Sequence, residues 1–222
     1  MKKIFAIFLT LAMLLQLMGG VCLAQENEAL DAAVKQLQTL DIISIPADGE
    51  FSPEASVTRG EMAYFLTKLY NAHITPGTPV NYDPFADVSN THYYANSISY
   101  ARGLGVMEGY GDGTFRPAQE VTYAEAVKTI VCALGYAVHA YTHDVTAWPE
   151  GFLLSAAEIG LTKNITIIDP NAPATKGDIA ILIHNALTIP LMQRLVYSDP
   201  PRYDICDGKD GRPYKTILNS KF

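Results

Sequence analysis

Three short stretches of this chain set one side chain between a threonine and an acid: Thr58-Arg59-Gly60-Glu61, Thr122-Tyr123-Ala124-Glu125 and Thr175-Lys176-Gly177-Asp178. The outer residues of each have a local explanation. The threonine hydroxyl can cap a backbone N–H at the start of a helix, and the acid three residues on can reach back to the cap residue. Thr58, Glu61, Thr122, Glu125, Thr175 and Asp178 are therefore expected as helix caps. Arg59, Tyr123 and Lys176 are not explained in this way. They fall at the first helical position and are expected to point outward, where neither core nor cap specifies them. A cation beside the free N–H groups and positive dipole end of a helix slightly disfavours folding but suits the capture of a carboxylate. The alternative is a solvated surface charge, and the repetition of the pattern favours a binding role for Arg59.

These stretches belong to longer repeats. Phe51 to Glu61, Phe115 to Glu125 and Ile168 to Asp178 align without a gap, at spacings of 64 and 53 residues. Each repeat reads as a helix, a turn and a second helix. The first helices (Ala29 to Leu40, Tyr94 to Leu104, Gly151 to Leu161) carry apolar residues at three- and four-residue spacing. Asp48-Gly49 and Asp112-Gly113 supply the positive-φ residue of a tight reversal. The second helices begin at the threonines and run through Met62, Leu66 and Leu69, Val127, Ile130 and Leu134, and Ile179, Leu182 and Leu187. A helix pair of this size cannot bury its apolar face alone, so the three units are expected to pack around one shared axis.

Composition narrows the function classes. The 222 residues are 49% hydrophobic and 18% charged with a net charge of −7, which fits compact cores and disfavours a general nucleic-acid binder. Lys2 and Lys3 precede an apolar run from Ile4 to Met18, and Cys22-Leu23-Ala24 offers small residues at alternate positions, so residues 1–24 read as a signal peptide cleaved after Ala24. Its loss removes two lysines and no acid, which takes the net charge to −9 and leaves no membrane segment. Cys132 and Cys206 remain. They could pair, but Cys132 lies in the apolar run Ile130 to Leu134, where a small buried hydrophobe is the simpler role. Gly109-Tyr-Gly-Asp-Gly113 lacks the spacing of a phosphate loop, and His139 with His143 lacks a third metal ligand, so neither a cofactor nor a metal is expected.

Phe85-Ala-Asp-Val88, Ile98 to Gly105, Gly109 to Pro117 and Val121-Thr-Tyr-Ala-Glu125 together resemble the S-layer homology domain. The second repeat matches along its length, the first from Leu40 onward, and the third is degenerate; the resemblance covers about residues 27–190. Repeats are placed at 25–75, 82–140 and 141–190, with a tail over 191–222 that is irregular or a hairpin. What the resemblance implies is a mainly α fold, a pseudo-threefold helical spindle. It also implies non-enzymatic, non-covalent attachment of an exported protein to the secondary polysaccharide of a Gram-positive-type wall, often to pyruvylated sugars. In that setting Arg59 and Lys176 would clamp the ketal carboxylate, while Tyr123, departing from the family's basic residue, could stack on a sugar face. Trp148, with Tyr93, Tyr94 and Tyr110, is either such a platform or core. Asp87 and Asp144, ahead of the first helices of repeats two and three, cap backbone N–H groups or accept sugar hydroxyls; Arg116, beyond the Asp112-Gly113 turn, is a further anion contact. Two other functions stay open: an S-layer or envelope protein partner held by the tail, and a wall-glycan hydrolase built on an acid pair.

Overall fold

The computed structural model describes residues 28–44, 51–142, 148–195 and 201–222. The expected signal peptide, Asp48-Gly49, His143 and Asp144 lie outside them. The described chain is mainly helical: α1 (residues 28–39), α2 (Arg59–Leu69), α3 (Ala95–Gly103), α4 (Tyr123–Ala133), α5 (Ala137–Thr142), α6 (Glu150–Glu158), α7 (Lys176–Ala186) and a short α8 (Ile217–Lys221). Strands β1 (Met192–Arg194) and β2 (Tyr203–Ile205) form one antiparallel pair, with Gln193 opposite Asp204.

The expected caps form at α2, α4 and α7. Thr58 accepts the Glu61 N–H at 3.2 Å while the Glu61 carboxylate accepts the Thr58 N–H at 2.8 Å, and Thr122 with Glu125 repeats the exchange at 3.2 and 3.1 Å. In α7 the shorter Asp178 takes the Thr175 hydroxyl at 2.9 Å, while Thr175 accepts the Asp178 N–H at 3.1 Å.

The residue before each cap threonine completes a ring. Val57 N–H donates to Ala174 C=O at 3.1 Å, Ala174 N–H to Val121 C=O at 2.9 Å, and Val121 N–H to Val57 C=O at 2.8 Å. Each of the three side chains is fully buried. The ring continues into the helices. The first two N–H groups of α2 donate to Gln119 and Pro117, those of α4 to Ala172 and Pro170, and those of α7 to Ala55 and Pro53, at 2.7–3.1 Å. Each helix start is therefore held by the loop that precedes the next helix. That loop passes so close that a Cβ on Gly60 would lie 3.1 Å from Pro117 C=O, and one on Gly177 would lie 3.1 Å from Pro53.

Packing follows the same rotation. α2 packs on α3, and α4 packs on α6. α1 and α7 share a groove lined by Ala29, Ala32, Ile181 and His184. Phe115, Leu37, Leu66, Ile98, Ile130, Leu134, Leu161 and Leu182 fill one continuous core.

The tail is a hairpin, as expected, and it also carries α8. It lies against the C-terminal ends of all three capped helices. Met192 N–H donates to Leu134 C=O and Leu218 N–H to Leu187 C=O, both at 2.9 Å, and the Asn71 amide reaches Lys221 C=O at 2.7 Å. The tail's own Cys206 and Ile217 are buried. Cys206 and Cys132 are both free thiols, and Cys132 is half-buried. Gly135, at φ +89°, ends α4 where a Cβ would meet Met192 C=O at 2.0 Å.

Gly135→Ala is expected to cost at least about 1 kcal/mol, from both the left-handed backbone and the docked tail. Gly113→Ala has the same sign of φ but open space around it, and should cost less. Urea unfolding of the two variants measures the difference; equal midpoints would show that the tail does not press on Gly135.

Candidate functional site

The side chain at the first position of each capped helix leans across the boundary between units and meets the cap acid of the next unit. Arg59 faces Glu125, Lys176 faces Glu61, and Tyr123 faces Asp178. Three grooves of about 350, 300 and 320 Å³ lie along these boundaries.

Arg59 does not point outward as expected. It is 6% exposed, because the loop that accepts its backbone N–H also walls in its side chain. Its Nε donates to Phe115 C=O at 2.9 Å, Nη2 to Glu108 C=O at 3.0 Å and Nη1 to Glu125 Oε1 at 3.2 Å. The guanidinium sits 4.8 Å from the ring centres of both Tyr110 and Phe115. The stack extends on one side through Arg116, 4.0 Å from the Tyr110 centre, and on the other through Phe85 to the exposed Arg102. The Tyr110 hydroxyl donates to Glu125 Oε1 at 3.3 Å, so phenol and guanidinium share one carboxylate oxygen. Two of the five guanidinium N–H groups are not committed among the described residues, and Arg59 lines the groove. Its opposite wall carries Lys128 and Trp148. Trp148 is 51% exposed, edge-on to Phe152, with Lys128 Nζ 5.5 Å from its ring centre. The tryptophan thus lies at the surface and is not core.

Lys176 is the more accessible cation. Its side chain is 36% exposed and its Nζ is 3.9 Å from Glu61 Oε1. Lys68, Tyr64, Tyr94 and Phe51 line the same groove. Burial opposes the charge on Lys68, but the 2.7 Å bond to Asp41 and the neighbouring Tyr64 outweigh it, and its pKa is raised. In the third groove the Tyr123 hydroxyl donates to Asp178 Oδ2. Burial first, and that bond second, push Tyr123 up to about 12, so the phenol remains a neutral donor.

Two expectations are corrected here. The helix N–H groups at the starts of α2, α4 and α7 are not free, since neighbouring loops and caps use them. Any anion must be held by side chains. The second correction concerns Asp87, Asp112, Gly113 and Arg116, none of which lines one of these three grooves. Asp87 accepts the N–H groups of Phe115 and Arg116 at 2.7 Å each, bracing the loop ahead of α4 and not the start of α3. Asp112 is held down to about 2 by bonds from the Thr114 hydroxyl and N–H and then from Arg116. Gly113 makes the turn at φ +82°, and Arg116, 2.9 Å from Asp112, buttresses Tyr110. Sequence reasoning missed Lys128, Lys68 and Tyr64. Lys128 had a signal, as the only charge of α4 beyond its first turn.

Arg59→Ala is expected to cost about 3 kcal/mol of stability, because it removes a buried guanidinium that gives the half-buried Glu125 its counter-charge and the Phe115 and Glu108 carbonyls a donor. Lys176→Ala, with its long and half-exposed pair, should cost under about 1 kcal/mol. Chemical denaturation of both variants decides the matter, and equal losses would refute the buried role of Arg59.

The family model of the S-layer homology domain matches residues 28–63 and 84–127. The "Middle cell wall protein" of Brevibacillus brevis is 30% identical over 176 residues, covering 79% of this chain and 16% of the relative. The "Surface layer protein" of Brevibacillus choshinensis is 28% identical over 181 residues, covering 82% and 16%. A "Cellulosome-anchoring protein" of Acetivibrio thermocellus is 35% identical over 77 residues, covering 35% and 17%. The chain spans about one sixth of the length of these relatives. With two matched segments, each ending inside a capped helix whose first side chain borders a groove, the chain carries the S-layer homology domain.

Proposed function

We propose that this protein is a non-enzymatic module, exported and wall-associated, that binds secondary cell-wall polysaccharide in the grooves between its units. The observation that carries the reading is the Arg59 groove, where a preset guanidinium, the Lys128 ammonium and the exposed Trp148 ring converge on one cleft. An anionic sugar suits it. Its carboxylate can take the uncommitted guanidinium N–H groups and the ammonium, while its C–H face lies on the indole. The Lys176 groove offers the same combination in looser form, with Lys68 as second cation and Tyr64 and Tyr94 as rings. A charge-assisted bond contributes about 1.5–3 kcal/mol, so one groove binds weakly, and a polymer engaging two gains by avidity.

The unit over 141–190 is read as a third, degenerate copy of the same domain. Its support is α7, which takes the place in the ring that α2 and α4 take in the other units. The relatives' names, a cell wall protein, a surface layer protein and a cellulosome-anchoring protein, agree with envelope attachment. The docked tail is part of the same body, and partner recruitment is not needed to explain it.

The test is co-sedimentation of the purified protein with wall sacculi, before and after chemical removal of the secondary polysaccharide. Lys128→Gln and Trp148→Ala are the informative variants, since Arg59→Ala would confound binding with folding. Binding should vanish on stripping and fall about tenfold in each variant, a loss of about 1.4 kcal/mol. Binding that survives stripping would overturn the reading.

A further inference from the structure

Resting on the polysaccharide reading, we propose that Tyr123 is a specificity-determining residue that closes the third groove to the anionic substituent and leaves it to an uncharged, hydroxyl-bearing sugar unit. The three first-position residues are equivalent by backbone. Arg59, Tyr123 and Lys176 each donate their N–H to the loop ahead of the next helix, at 2.8, 3.1 and 2.7 Å. Each then meets the next cap acid. At two boundaries a cation balances that acid. At the third a neutral phenol does, and the Asp178 charge stays uncompensated by any cation lining the groove.

The rest of the third groove agrees. It is lined by Leu30, Pro53, Glu54, Asn164, Thr175 and Asp178, among others, with no lysine or arginine among the described residues. A carboxylate entering it would meet Asp178 and Glu54 at short range without a counter-charge, which is unfavourable even in a well-solvated cleft. A sugar hydroxyl meets the opposite situation. It can donate to the Asp178 carboxylate or accept from the Asn164 amide. The groove has about the same volume as the other two, so charge and not size separates them.

Calorimetric titration of the full protein with a methyl hexoside bearing a pyruvate ketal tests this, with the ketal-free hexoside alongside. The wild type should bind two ketal sugars per chain. Tyr123→Arg, able to meet Asp178 as Arg59 meets Glu125, should bind three, with no gain for the ketal-free sugar; Tyr123→Lys is the second variant. Three ketal sugars on the wild type would overturn the proposal, as would two on both variants with the melting transition intact. If neither variant folds, the wild-type count decides alone. Wild type that binds no ketal sugar would bring down the polysaccharide reading itself, a failure distinct from binding three.

Discussion

Everything in this molecule depends on the ring of backbone hydrogen bonds that joins Val57, Val121 and Ala174. Three loops that are remote in sequence exchange one N–H and one C=O each, at the point where the three capped helices begin. The free ends of a helix are a folding problem, because four N–H groups lack internal partners. Here the solution is shared. Threonine and acid satisfy the groups at the cap, and the neighbouring loop satisfies the first two inside the helix. The ring thus fixes where each helix starts and how far apart the units stand.

That arrangement sets the electrostatics of the grooves. With the amides consumed, the positive charge along the grooves is that of Arg59, Lys128, Lys176 and Lys68, each beside an aromatic ring or a carboxylate. The partial neutralisation of Arg59 by Glu125 is the physical condition for burying a guanidinium at all, since an unpaired buried charge would be prohibitive. The aromatic rings on both sides of it then orient the plane of the fork. A ligand carboxylate bound as proposed would meet a group whose direction is already set, and little ordering cost would remain at binding.

Much of the fold was legible in the sequence. The threonine-to-acid spacing located the capped helices to the residue, and apolar periodicity gave their buried faces. Orientation was not legible. Spacing places Arg59 at the first helical position but cannot say that a loop 56 to 60 residues away will close over it; that is a property of the assembled ring. Asp87 shows the same limit, since its partners lie across the unit and not at the next helix. The tail was read as irregular or a hairpin from its turn residues. Its docking depends on the ends of α2, α4 and α7, which carry no local signal for it.

The pairing of α1 with α7 brings the first described helix of the chain against the last of the three capped ones. A chain made from its N-terminus therefore leaves Ala29 and Ala32 of α1 without their α7 neighbours until some 140 residues more have appeared. Such a closed circuit has a high contact order and cannot be assembled unit by unit as an open solenoid can. One or two units cut from it would lack a neighbour on one side, and a groove needs both of its banks. The molecule is in this sense a single cooperative object, although its sequence is written as a repetition.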